Sequence, residues 1–314
     1  MSFDDFCFCM IQRISTFLFH RNVILILAVV LALLSGSFAN ALKSYTTYIL
    51  MVTMMFSMTG MATRSFFPLR KTLRPMLAGT VLNYVIFGGV MISLAWFLMP
   101  TRELFMGFVV IAVAPPGVAI VPFSGILKGD IDYSIVGVTG AFLASVVVTP
   151  LVIGLFNQGE GAVSSGELVW LMVKLVVIPL LLSRLLLMPA IEPWVKRVRG
   201  KVVDIGFALI IYTAIGMNRE LIFHNQQVLL LSSLVLLAVT FGLGSLFELI
   251  MKQRGGNSYR IIPQTLLLTV KSSGFSVITA LAVFGKKAAI PSALFAIIVL
   301  LYLLFLTTRS EIKK

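Results

Sequence analysis

The sequence predicts an all-α integral membrane protein of ten transmembrane helices, arranged as two inverted five-helix repeats, with the fourth and ninth helices broken. Three observations lead there. Of the 314 residues, 59% are hydrophobic and 12% charged, and the mean hydropathy is +1.04. A soluble domain has no use for so much apolar surface. Apolar runs of about 18 to 25 residues recur along the chain, enough to cross a hydrocarbon core of about 30 Å at about 1.5 Å per residue. Several short features also recur at an offset of 156 residues.

The spans fall at about 17–37, 44–63, 74–98, 104–126, 131–156, 166–188, 201–218, 227–250, 262–284 and 290–308. An alternative exists for the first. Arg21 precedes the apolar run Val23–Leu34, and Ala39-Asn40-Ala41 resembles a small-residue cleavage site, as in a signal peptide. The repeat needs this run as a helix, so it is kept as a span. Ten spans put both chain ends on one side. That side takes 18 of the 25 Lys and Arg residues, among them Arg13, Arg64, Arg74, Arg199 and Arg254, and the other side takes five. This asymmetry predicts cytoplasmic termini, in a bacterial inner (plasma) membrane. It also accounts for the net charge of +13, which in a soluble protein would suggest nucleic acid. Cys7 and Cys9 have no partner cysteines or histidine cluster nearby, so neither a disulfide framework nor a metal site is expected.

The repeat is read from matched pairs. Gly60-Met61, followed by Arg64, closes the second span, and Gly216-Met217, followed by Arg219, closes the seventh. Lys128-Gly129-Asp130 precedes the fifth span and Gly285-Lys286-Lys287 the tenth. Repeat 1 covers about 17–156 and repeat 2 about 166–308, within a single transport unit, 1–314. Five helices is an odd number, so the second copy is inverted.

The same offset pairs the fourth span with the ninth. Residues 114–122 read Ala-Pro-Pro-Gly-Val-Ala-Ile-Val-Pro, where three prolines and a glycine block continuous i to i−4 bonding. The ninth span carries Lys271-Ser272-Ser273-Gly274 at its centre. A lysine far from both surfaces must face protein or water, which reads as functional rather than as a snorkelling side chain. Unwound backbone at membrane depth persists only inside protein or along a wet cavity. Helix N-termini beginning near Val118 and Ser273 would direct partial positive charge into that cavity. Two merely kinked helices are the plainer alternative; matching interruptions in both halves favour a binding site. The candidate substrate-binding residues are Lys271, Ser272, Ser273, Gly274, Gly117, Val118 and the intramembrane amide Asn83.

Other polar groups are sparse. Ser134, Thr139 and Thr149 lie on the fifth span, where hydroxyls more often bond their own backbone. Lys174 is expected to snorkel outward, and Glu248 to stay wet beside Lys252. No span holds a deep carboxylate. His20 and His224 fall near membrane surfaces and no nucleophile–base arrangement is visible, so an enzyme is not expected.

At the broken helices, from Ala114-Pro115-Pro116-Gly117 to Leu127-Lys128-Gly129-Asp130 and from Ser272-Ser273-Gly274 to Phe284-Gly285, the chain resembles the bile acid:sodium symporter family. The resemblance implies inverted five-helix repeats, a panel of helices moving against a core, and broken helices that cross within that core. It also implies uptake of organic anions, such as bile acids or small carboxylates, usually with sodium. The family's sodium ligands map onto Ile120, Val121, Ser134, Leu267 and Lys271, and only Ser134 keeps a suitable side chain. A hard cation needs several oxygens. The expectation is therefore a sodium-independent secondary transporter of a small organic anion, with the Lys271 ammonium in place of the cation and no cofactor. In a refinement, Lys271 loses and regains a proton during the cycle. A conventional sodium symporter and a non-transporting membrane sensor or scaffold are the rival readings. The expected partners are the organic anion and the lipid bilayer, and nucleic acid is not among them.

Overall fold

The computed structural model describes residues 21–60, 69–117, 119–157, 164–217, 219 and 226–312. Among them the chain forms helices and no strands. We number the helices α1 (Arg21–Leu34), α2 (Thr46–Met58), α3 (Leu69–Thr80, Val81–Phe87 and Gly88–Leu98), α4 (Arg102–Val113), α5 (Ile120–Ile126) and α6 (Ile131–Phe156). There follow α7 (Ser165–Met172, Val173–Val177 and Ile178–Leu185), α8 (Glu192–Met217), α9 (Gln226–Leu237, Ala238–Leu243 and Gly244–Gln253), α10 (Ser258–Thr269), α11 (Ser273–Val283) and α12 (Lys286–Ile312). The central stretches of α3, α7 and α9 are π-helical.

Six of these, α3, α6, α7, α8, α9 and α12, are long and apolar enough to cross a membrane. A seventh candidate is the pair Val23–Leu34 and Ala39–Met58, which bends by 118° at its break. The apolar faces left exposed, such as Phe97, Leu155 and Leu181, would meet water in a soluble protein and meet lipid here. This is an integral membrane protein.

The largest departure from the hydropathy reading is at the start of α8. α8 begins at Glu192, upstream of the apolar run at 201–218, and takes in the basic stretch Lys196–Lys201. Lys and Arg are good helix formers, and Glu192 pairs with Lys196 at 2.8 Å one turn on. Hydropathy finds the part of a helix that lipid covers; helix propensity carries it further.

The helices pack in two groups. α8 lies against α1 and α2, and α7 against α2; α3 to α6 and α9 to α12 form the other group, which α8 meets through α11 and α12, α7 through α6 and α2 through α11. Small residues allow the closest approaches, as expected where lipid offers no hydrophobic drive to bring helices together. A Cβ on Gly140 of α6 would lie 2.6 Å from Met76 Cα on α3. Gly154, on the same helix, has nothing within 4 Å. Gly140→Ala is expected to destabilise the protein by about 1–3 kcal/mol, lowering the midpoint of a thermal melt in detergent, whereas Gly154→Ala leaves that midpoint unchanged or raised.

Candidate substrate site

The site is where two broken helices cross. α4 stops at Val113, and Ala114 turns extended (ψ 144°). The cause is local, because the residue before a proline is pushed out of the α region and Pro115-Pro116 offers no backbone donors. α10 stops at Thr269, and Val270 is extended at φ −99°, ψ 106°. No proline breaks it; the partner segment does. Gly117 N–H donates to Val270 O and Ser272 N–H to Pro115 O, both at 2.9 Å, making one antiparallel bridge between Pro116 and Lys271. Each interruption satisfies the other's backbone groups, so neither survives alone at this depth. A Cβ on Gly117 would lie 3.1 Å from Lys271 O, and glycine is what lets the strands meet.

Lys271 is 2% exposed. Its Nζ donates to Asn83 Oδ1 at 2.9 Å, Ala112 O at 2.5 Å and Ala114 O at 3.1 Å. An ammonium has three donors, and all three are engaged. The rings of Tyr84 and Phe87 stand 4.7 and 5.1 Å from it, in cation–π range. Ala112 and Ala114 belong to the C-terminal end of α4, where carbonyls lack helical partners and the dipole is negative. Between them, Val113 O accepts from Thr149 Oγ1 at 2.8 Å. Three consecutive carbonyls are thus capped by two side chains. Asn83 completes the frame, its Nδ2 donating at 3.2 Å to Leu267 O in the last turn of α10. Asn83, Tyr84 and Phe87 all sit on the π-helical stretch of α3, and Tyr84 is fixed by a 2.8 Å bond to Ala141 O.

Ser272 caps α11 in position only. Its hydroxyl makes no cap bond and has no hydrogen-bond partner, although it is buried. The first-turn N–H groups of Ser273, Gly274 and Phe275 have no intrahelical acceptor. Beside them opens a cleft lined by Ser272 and Ser273 and by apolar side chains from α1, α8 and α12, including Leu25, Phe207 and Val299. A Cβ on Gly274 would lie 3.0 Å from the Phe207 ring. Val118 lies outside the described residues.

The positions matched to sodium ligands do not fit a hard cation. Ile120 and Leu267 are buried and carry no side-chain oxygen, and Val121 is half-buried. Leu267 packs against α6, where a Cβ on Gly137 would lie 2.6 Å from its Cδ1. Ser134 Oγ lies 2.6 Å from Ser124 Oγ and 2.9 Å from Asp130 O, so it is already partnered. Among the described residues no group of three or more His, Cys, Asp or Glu could hold a metal.

The profile of the Sodium Bile acid symporter family matches residues 48–225, more than half of the chain. The protein belongs to that family. A similar protein is the uncharacterized sodium-dependent transporter YocS of Bacillus subtilis (strain 168), 27% identical over 276 residues that cover 86% of this chain and 84% of YocS. Members of the family are transporters, which makes this chain a membrane transporter rather than an enzyme.

Sequence reasoning named Lys271, Asn83, Ser272, Ser273, Gly274 and Gly117, and the fold brings all six to the crossing. Thr139 bonds its own helix at Ile135 O, and Thr149 does not; it reaches α4. Tyr84, Phe87 and Phe207 were not singled out, although Asn83 and Phe87 are spaced i, i+4 and so share a helix face. Lys174 is half-buried, its ammonium 5.3 Å from the Trp170 ring.

A lysine at a helix centre costs about 3 kcal/mol on insertion scales, and a hydrogen bond to a charged group contributes about 1.5–3 kcal/mol. Losing one of three acceptors is therefore survivable. Asn83→Ala is expected to leave a folded protein destabilised by about 1–3 kcal/mol, read as a lower melting midpoint in detergent.

Proposed function

We propose that this transporter carries a small organic anion, a carboxylate with an apolar body, without sodium. The observation that carries the reading is the Lys271 ammonium, held by three acceptors at the C-terminal end of α4, where a broken-helix carrier would otherwise place its cation. With Leu267 filling the neighbouring space against Gly137, both halves of the expected cation site are occupied by the protein's own side chains. The carboxylate would lie at the N-terminus of α11, with the N–H groups of Ser273 and Gly274 and the unpartnered hydroxyl of Ser272 as donors, and its apolar part along the cleft. The ammonium offsets its charge from behind the crossing rather than by contact.

In this reading the chain is one transport unit of ten spans, with α4–α5 and α10–α11 each counted as one broken span, and its repeats at about 17–156 and 166–308 inverted. Two correspondences support the repeat. The broken helices end in extended caps at Ala114 and Val270, 156 residues apart. The π-helical stretches of α3 and α9 begin at Val81 and Ala238, 157 residues apart. The group α1, α2, α7 and α8 would move against the rest. Both termini would be cytoplasmic, in a bacterial inner membrane, with the anion and lipid as partners and no cofactor.

The name of YocS favours a second reading, sodium coupling. Replacing sodium by potassium separates the two. Uptake of labelled carboxylates, from acetate to a bile acid, into liposomes holding the purified protein is expected to be equal in both salts; a strict sodium requirement defeats the proposal. The double variant Leu267→Glu/Lys271→Gln, which returns the residues the family uses, is expected to gain sodium-dependent thermal stabilisation that the parent lacks.

A further inference from the structure

A second cleft opens where α9 and α12 end and α10 begins. It shares no lining residue with the first. Polar side chains stand at its mouth (Glu248, Lys252, Ser258 and Arg309), and apolar ones such as Ile262 and Leu306 form its walls. Glu248 Oε1 accepts from Lys252 Nζ at 2.5 Å, and Oε2 accepts from the Arg309 guanidinium. Glu248 thus did not stay in water beside Lys252: its side chain is 15% exposed, against 40% for Lys252 and 34% for Arg309.

This arrangement is lopsided. One carboxylate sits between two cations, which leaves a net positive charge with the anion inside and the cations outward. An ammonium brings three donors and a guanidinium five; among the described residues each makes one hydrogen bond here. The N-terminus of α10, capped by Asn257, adds partial positive charge at the same mouth. On the adjoining outer faces lie exposed apolar side chains, Leu249 on α9 and Phe305 on α12, and the Arg309 guanidinium stacks 5.6 Å from the Phe305 ring. A polar, positive mouth at helix ends, over apolar walls that continue into a lipid-facing surface, matches an amphiphile with an anionic head.

We propose that this cleft binds an anionic phospholipid, its phosphate held by Arg309 and Lys252 and an acyl chain lying along α9 and α12. A zwitterionic lipid brings its own cation to a mouth that is already positive, so selection follows net charge. Free phosphate has the same head chemistry without the chain. The site is independent of the transported anion and of sodium.

The test is lipid retention by the purified full chain in native mass spectrometry, beside thermal melts with added phosphatidylglycerol, phosphatidylcholine or inorganic phosphate. Phosphatidylglycerol alone is expected to be retained and to raise the melting midpoint. Lys252→Gln, which keeps the Arg309–Glu248 pair and hence the fold, should weaken retention several-fold, and Lys252→Gln/Arg309→Gln by about tenfold or more. Arg254→Gln, an exposed cation outside the cleft lining, should change nothing. Glu248→Gln should hold the lipid at least as well as the parent. Equal retention of the two lipids overturns the proposal, as does stabilisation by inorganic phosphate alone. So does an Arg254→Gln loss matching that of Lys252→Gln, or a Glu248→Gln loss matching that of the double variant.

Discussion

The fixed positive charge at the crossing is the constraint around which the rest is arranged. Two helices stop in the interior of an apolar bundle, and each leaves carbonyls and N–H groups that no water is available to satisfy. The extended segments 115–117 and 270–272 bond to each other, but that settles only the groups between them. The end of α4 still presents three carbonyls in a row. Lys271 from one side and Thr149 from the other close that end. An ammonium is suited to the task because it brings donors and the charge that a helix C-terminus favours. It also ties the second half of the chain to the first through a single side chain.

A side chain and a bound ion perform this task differently. A sodium ion leaves with each cycle, so its gradient can drive the substrate. A lysine is covalently attached and stays. Under the proposed reading Lys271 holds the crossing throughout, its integrity would not report the sodium concentration, and the energy for transport would come from the substrate's own gradient, from exchange or from a proton. Leu267 is consistent with this reading, since its isobutyl group packs against Gly137 and carries no oxygen ligand.

The uncapped start of α11 has the opposite character. Lys271, Asn83 and Thr149 find partners at the crossing; Ser272 Oγ does not. A buried unpaired hydroxyl beside free helix N–H groups costs about 1–3 kcal/mol, and the proposed anion, on entering the cleft, would relieve it. Phe207 stands against this helix start from the other helix group, so the proposed movement of that group would alter access to it.

Much of this was legible in the chain. Hydropathy predicted ten spans; among the described residues six helices are long and apolar enough to cross a membrane, and one bent pair is a seventh candidate. Pro115-Pro116 and Lys271 marked the two breaks, because a missing donor and a buried charge are properties of the residues themselves. The α1–α2 bend of 118° and the upstream start of α8 were not legible, because neither changes the apolar pattern. Asn83 stood out as an amide in a membrane, but nothing in the chain showed that it bridges Lys271 and Leu267. The sequence by itself determined that a lysine would lie deep in an apolar bundle at a broken helix. Only the tertiary structure decided which way it turns: toward the buried carbonyls at the end of α4, 157 and 159 residues earlier in the chain. A side chain's charge is local, but the acceptors it needs are assembled by packing.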